Sequence, residues 1–249
     1  MKKILFLFGL INASLFAQIK VDYSFEFSDK KAQREFFQSS LPFNNYEKTL
    51  QCVNYTLQFD KNRMVFSPDL CRDYINVDMK EIIYFIDNYK YYRNANSDFV
   101  VKEDLSSKDK TYLTSYRTQI NWLKEENNPK NILGYKCNKA IGEIYFDNGD
   151  GVFRYDKEIT VWYTDEIKTD FGPLYCKGLN GLVLEFDDKL YNYTATKIEK
   201  DISLKDLYFP NKKIVTIIEE EKLNIEIWNK NVSDCEKNKD KIIEYKDKI

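Results

Sequence analysis

Between Val161 and Asp188 the chain gathers the residue types that could do chemistry. Trp162 and Tyr163 are followed closely by Asp165 and Glu166, and further on come Glu185, Asp187 and Asp188. Aromatic faces beside carboxylates suit stacking on a sugar ring or holding another polar ligand. Two carboxyls roughly 5 to 10 Å apart, one with its pKa raised by burial, could also cleave a glycosidic bond without histidine. Asp165 or Glu166 opposite Glu185, Asp187 or Asp188 is the pairing the sequence offers for that. Gly178, Leu179, Asn180 and Gly181 lie between and would let the backbone approach a ligand closely. Each feature has a plainer reading. Trp162 and Tyr163 would sit on opposite faces of a strand, with Asp165 and Glu166 solvating its end. Gly178 to Gly181 would form a tight turn joining core strands, and Asp187-Asp188-Lys189 a hairpin turn.

Composition removes many other chemistries. The 249 residues include no histidine, which excludes Ser-His-Asp triads, Cys-His dyads, histidine-ligated zinc and ordinary haem ligation. Glycine loops of the phosphate-binding and dinucleotide types are absent. Asp147 to Gly151 lacks the glutamate-terminated spacing of a calcium hand, so neither a metal nor a cofactor is expected. With 38 basic and 40 acidic residues the net charge is −2, which supplies no basic footprint for nucleic acid. The five cysteines, Cys52, Cys71, Cys137, Cys176 and Cys235, match no zinc spacing, and an odd number leaves at least one unpaired. Cys52 with Cys71 and Cys137 with Cys176 are the candidate disulfides. A buried free thiol acting as a small apolar residue is the alternative for each.

The elements that would position these residues are mostly strands. Lys2 and Lys3, an apolar run from Ile4 to Ile11 and small residues up to Ala17 have the layout of a secretory signal peptide, too short to remain as a bilayer span. Cleavage after Ala17 would leave one β-rich domain over 18–249, exported to the periplasm or to the outer membrane and cell surface. Ile19, Val21, Tyr23, Phe25 and Phe27 alternate with polar residues, as do Val53, Tyr55, Leu57 and Phe59. Asp60-Lys61-Asn62 turns the latter strand into Arg63 to Phe66, a hairpin that Pro68 would end. Further strands are expected at Tyr89 to Arg93, Phe99 to Leu105, Gln119 to Lys124, Ile141 to Phe146 and Val152 to Tyr155. Three more follow at Ile159 to Thr164, Leu182 to Phe186 and Leu190 to Ile198. Ser233-Asp234-Cys235-Glu236 has the form of a capping box, predicting a short terminal helix over Lys237 to Ile249. The fold class is therefore mainly β: a curved antiparallel sheet or partial barrel with a short C-terminal helix. Of eight glycines, one lies in the leader and seven fall between Gly134 and Gly181, which marks that stretch for tight turns and close backbone packing.

The order of features after Trp122 is distinctive. Ile132-Leu133-Gly134-Tyr135-Lys136-Cys137-Asn138-Lys139-Ala140 is followed by Val161-Trp162-Tyr163-Thr164-Asp165-Glu166-Ile167 and Gly172-Pro173. Gly178-Leu179-Asn180-Gly181-Leu182-Val183-Leu184 closes the series. This resembles the GLPGLI family of secreted proteins of diderm bacteria, with Asn180 where that family has proline and Val183 where it has isoleucine. The resemblance implies similarity to the bowl-like N-terminal domain of some secreted peptide N-glycosidases. It also implies an envelope setting beside outer-membrane transport or surface proteins, and it carries over no catalytic residue. The expected function is an exported, non-enzymatic binding or interaction module. A lipid or small apolar ligand carrier is the alternative, which requires Tyr23, Phe25, Tyr55 and Phe59 to line an open cavity. A carboxylate-dependent glycan hydrolase is the third reading.

Overall fold

A computed structural model describes residues 18–29, 53–70, 86–107, 110–203 and 207–246. Eleven strands precede one helix: β1 Ile19–Phe27, β2 Val53–Phe59, β3 Arg63–Leu70, β4 Tyr89–Asn94, β5 Phe99–Asp104, β6 Tyr112–Ile132, β7 Tyr135–Asp147, β8 Arg154–Thr164, β9 Leu182–Asp187, β10 Tyr191–Lys200, β11 Lys213–Thr216 and α1 Ile217–Lys246. Strands β1 to β10 each pair antiparallel with their sequence neighbours, and β1 pairs with β10 from Ile19↔Lys200 to Phe27↔Tyr191. The expected curved sheet is thus a closed, up-and-down, ten-stranded barrel. β11 lies parallel to the start of β6 outside that ring.

Period-two patterning produces the barrel because alternate side chains point to opposite faces. Val21, Tyr23 and Phe25 of β1, Tyr55 and Leu57 of β2, Phe66 of β3, Phe186 of β9 and Tyr193 of β10 all point inward and are buried. Their rings pack on one another: Tyr55 and Phe66 stack with centroids 5.3 Å apart, and Tyr55 meets Tyr193 edge-on at 5.0 Å. Each such ring contributes about 2 to 3 kcal/mol through burial alone. A smaller cluster of Val65, Tyr92, Val101, Leu113 and Leu207 packs on the outer face.

Ten strands enclose more space than one layer of side chains fills. The connection from β8 to β9, residues 165–181, supplies the remainder by placing Ile167, Phe171, Leu174, Tyr175, Cys176 and Leu179 in the core. Arg93 of β4, fully buried, anchors this plug. Its guanidinium donates to Asp170 Oδ2 at 3.0 Å, to the Cys176 carbonyl at 3.1 Å and to the Asp170 carbonyl, and lies over the Phe171 ring. Gly181 closes the plug where a Cβ would collide with the Thr164 carbonyl oxygen, so a close approach demands glycine there.

Four expectations change. Pro68 does not end its hairpin: β3 continues to Leu70, with Pro68 opposite Tyr55, and β4 pairs with β3 only over Arg63–Phe66, so the missing amide falls where β4 is no longer alongside. The strands expected at Val152 to Tyr155 and Ile159 to Thr164 are replaced by one strand, β8, which begins at Arg154 and leaves Val152 and Phe153 outside it. The helix starts at Ile217, far ahead of Ser233. Its cap is Thr216, whose Oγ1 accepts from the Glu219 amide at 3.2 Å while the Glu219 carboxylate accepts from the Thr216 amide at 2.7 Å. Cys137 and Cys176 are buried free thiols, not a disulfide. Cys137 Sγ faces the Tyr135 carbonyl, whereas Cys176 packs beside Val183 and Gly172 in the plug. The Cys52–Cys71 pair lies outside the described residues.

Candidate functional site

The barrel has two mouths. At one, the odd strands end and the even strands begin; at the other, the plug enters. The first holds a cavity of about 270 Å³ whose walls come from most of the ring: Asp87 and Tyr91 at the start of β4, Lys102 of β5, Tyr116 of β6, Phe146 of β7, Asp156 and Lys157 of β8, and Asp188 and Tyr191 at the β9–β10 turn. Leu174 and Tyr175 of the plug and Ile217 of α1 complete it. The first helical turn is fixed there by the Ile218 amide donating to the Asn148 carbonyl at 3.2 Å.

Its polar groups fall into two sets. Asp87 is held by Tyr91, whose hydroxyl donates to both carboxylate oxygens at 2.8 Å, while the Tyr55 hydroxyl donates to the Asp87 carbonyl at 2.9 Å. Burial pushes the Asp87 carboxyl up to about 6, against the opposing influence of Tyr91 and Lys102. The Lys102 ammonium is shifted below the ordinary lysine value by burial and sits 4.6 Å from the Tyr89 ring centroid. Opposite them, burial works to lower Lys157, but the Asp188 carboxylate 3.0 Å away outweighs it and holds that ammonium above its usual range. Asp188 also accepts from the amides of Leu190 and Tyr191 at 3.1 and 2.7 Å, so both its oxygens are engaged. Burial raises the phenols of Tyr91, Tyr116 and Tyr175, which stay protonated as donors. The cavity thus offers aromatic faces, neutral hydroxyl donors, one carboxyl that titrates near neutrality and one ammonium with no ion-pair partner among the described residues. Such a set has the chemistry to hold a polyhydroxylated or otherwise polar small molecule.

The residues singled out from sequence are spread over the molecule. Tyr163 is buried inside the barrel, whereas Trp162 lies on the outside with the Lys130 ammonium 5.4 Å from its ring. Asp165 is exposed, and Glu166 accepts from the Lys136 amide at 3.0 Å. Gly178 and Leu179 belong to the plug: Gly178 donates its amide to Asp170 Oδ1 at 2.6 Å, Leu179 is buried, and Asn180 is exposed beside the close-packed Gly181. The pairing of Thr160 with Asp187 places Asp165 five residues farther along β8, about 17 Å from the β9–β10 turn. Asp165 and Glu166 therefore stand at one mouth and Asp187 and Asp188 at the other, while Glu185 pairs with Lys130 outside. Of these carboxylates, Asp188 alone lines the cavity.

Sequence reasoning missed Asp87, Tyr91, Lys102, Tyr116, Lys157, Tyr175 and Tyr191. The legible signal was Lys102, two residues after the buried Val100 and so on the inward row of β5. A charge on an inward row marks either a satisfied ion pair or a site. Among the described residues no cluster of histidine, cysteine, aspartate and glutamate could hold a metal ion, and no helix is long and apolar enough to cross a membrane.

Comparison with known families finds a match over residues 53–221, from the start of β2 into the first turns of α1, to the N-terminal domain described as N-glycanase peptide, N-terminal domain. No curated protein matches the chain.

Proposed function

The chain belongs to the family of N-glycanase peptide N-terminal domains, and from that premise we propose that it is an exported, non-enzymatic binding module of the cell envelope that takes a small saccharide in the cavity beside α1. The observation that carries this reading is the convergence of Asp87, Lys102 and four tyrosines on one mouth of a rigid barrel. Aromatic faces would stack on the sugar ring, and the phenols, Lys102 and Asp87 would bond its hydroxyls. The signal-peptide-like sequence of residues 1–17 supports export to the periplasm or the outer surface, where an outer-membrane transport or surface protein would be the partner. Two observations weigh against the alternatives. Tyr23, Phe25, Tyr55 and Phe59 pack on neighbouring rings, which leaves an apolar carrier little room. A hydrolase needs a second, available carboxylate; Asp188 is committed to Lys157 and two turn amides, and Asp156, the other carboxylate of the cavity wall, is paired with the same Lys157 at 3.6 Å.

Calorimetric titration with a panel of neutral mono- and disaccharides tests the reading. Millimolar or tighter binding is expected, weakened at least tenfold by Tyr116→Phe combined with Lys102→Met. Binding that is absent throughout the panel, or indifferent to both substitutions, rejects it. Recovery of the native protein with an N-terminus at Gln18 tests export, and an intact Met1 would reject it.

A further inference from the structure

At the opposite end of the barrel β6 is much longer than its neighbour. β5 covers one edge of β6 only from Thr114 to Arg117, while β11 and β7 occupy the other edge along its length. The Thr118 amide is met by the Asp98 carbonyl at 2.9 Å, where the β4–β5 turn leads away. From Gln119 onward no strand lies beside that edge among the described residues. In antiparallel pairing the N–H and C=O of one residue share a side, and the side alternates along the strand. The direction of the Thr118 amide therefore places the backbone groups of Ile120 and Trp122 on the open edge.

A groove of about 530 Å³ runs beside it, bounded by Thr118, Gln119 and Ile120, by the β4–β5 turn, and by Asp170 and Lys177 of the plug. Thr118 is 1% exposed, and its Oγ1 has no hydrogen-bond partner among the described residues, an exception to the rule that buried hydroxyls are bonded. The groove's ionic groups are already matched within the protein: Lys177 with Asp98 at 2.6 Å, Arg117 with Asp147 at 3.4 Å and Arg93 with Asp170 at 3.0 Å. An occupant need bring no charge.

The rest of the same edge carries the devices that discourage strand addition. Residues 124–132 include Lys124, Pro129 and Lys130, and the pairing with β7 shifts register between Trp122 and Lys124 and again between Glu126 and Lys130. Thr118 to Trp122 has neither charge nor proline and pairs with β7 in unbroken register. The unblunted window is the one that borders the groove. We propose that Thr118 to Trp122 is a docking site for an extended, uncharged peptide segment, which adds as a strand beside β6 and engages Thr118 Oγ1.

Hydrogen exchange of the full chain, alone and with a pool of end-capped, uncharged hexapeptides, tests this. The Ile120 and Trp122 amides should exchange freely without peptide and become at least tenfold slower with it. Gln119→Lys, which puts an edge-blunting charge at an exposed position, should cut that protection at least tenfold, while Thr118→Val should weaken it without altering the melting temperature. Amides already protected in the free protein would overturn the proposal, as would protection that follows protein concentration in place of peptide, the signature of two copies pairing edge to edge. Unchanged exchange with the peptide pool would also overturn it.

Discussion

Two buried charges inside the same barrel are treated in opposite ways. Arg93 is enclosed by fixed partners, with Asp170 and two carbonyls receiving its guanidinium and Phe171 beneath it. Burial lowers its pKa while Asp170 opposes that, so the group stays charged and serves as the anchor of the plug. Asp87 at the other mouth has a phenol for a partner and no cation at hydrogen-bond distance among the described residues, and burial moves its carboxyl up to about 6. The difference teaches how to read charge in this fold. Where a carboxylate and carbonyls receive the charge, as at Arg93, it holds the structure together even though Arg93 Nε has no hydrogen-bond partner among the described residues; where no cation answers the carboxylate, as at Asp87, it faces a cavity and is available to a ligand.

The comparison is broken most severely at Arg93. Arg93→Met leaves Asp170 without its buried partner and two plug carbonyls without donors. It should destabilise the protein by about 3 to 5 kcal/mol, read as a fall in the urea midpoint. If it costs less than 1 kcal/mol, the plug is held by its apolar contacts alone. Gly181→Ala tests the same plug from its other end, since the new methyl meets the Thr164 carbonyl. Overpacking there should cost about 1 to 3 kcal/mol.

Asp87 sharpens the other half. Its folded pKa, about 6, lies above the ordinary 3.8, so the folded state binds the proton more tightly than the unfolded chain. The resulting stabilisation is full below pH 3.8 and is lost as pH rises through 6. The total amounts to about 1 to 3 kcal/mol. Asp87→Asn should remove this dependence, so the stability difference between variant and parent should grow in the variant's favour from pH 4 to pH 7. A difference that is flat with pH would mean that Asp87 is hydrated and not held in the cavity wall.

How much of this was legible in the sequence follows from the physics of each part. Strands β1 and β2 were plain because period two and burial on one face coincide, from Ile19 to Phe27 and from Val53 to Phe59. Closure of the ring was not, because it depends on β1 meeting β10 across nearly the whole chain, and alternation says nothing about distant partners. The crowding of glycines did point to the plug, where Gly181 permits the approach to Thr164. The cavity stayed hidden because Asp87 and Asp188 look like ordinary turn residues in sequence and Tyr91, Tyr116 and Tyr191 look like ordinary strand aromatics. Only the curvature of the barrel brings them to one mouth.

The smallest expected effect concerns the helix that borders that mouth. The capping signature read at Ser233 lies within α1, while the same pattern at Thr216-Ile217-Ile218-Glu219 forms the actual cap. Both sites offer a hydroxyl three residues ahead of a glutamate, so sequence could not choose between them. The choice was made by β11, which pairs with β6 as far as Thr216↔Ser115 and so fixes where the helix must begin. Bonds to the Thr216 amide and hydroxyl hold the Glu219 carboxyl below its ordinary range. Thr216→Ala should therefore cost about 1 kcal/mol of stability. Ser233→Ala, within the helix, should change it by less than 0.5 kcal/mol on the scale of neutral surface substitutions. Urea unfolding of the two variants side by side checks the assignment, and equal losses would place the start of α1 elsewhere.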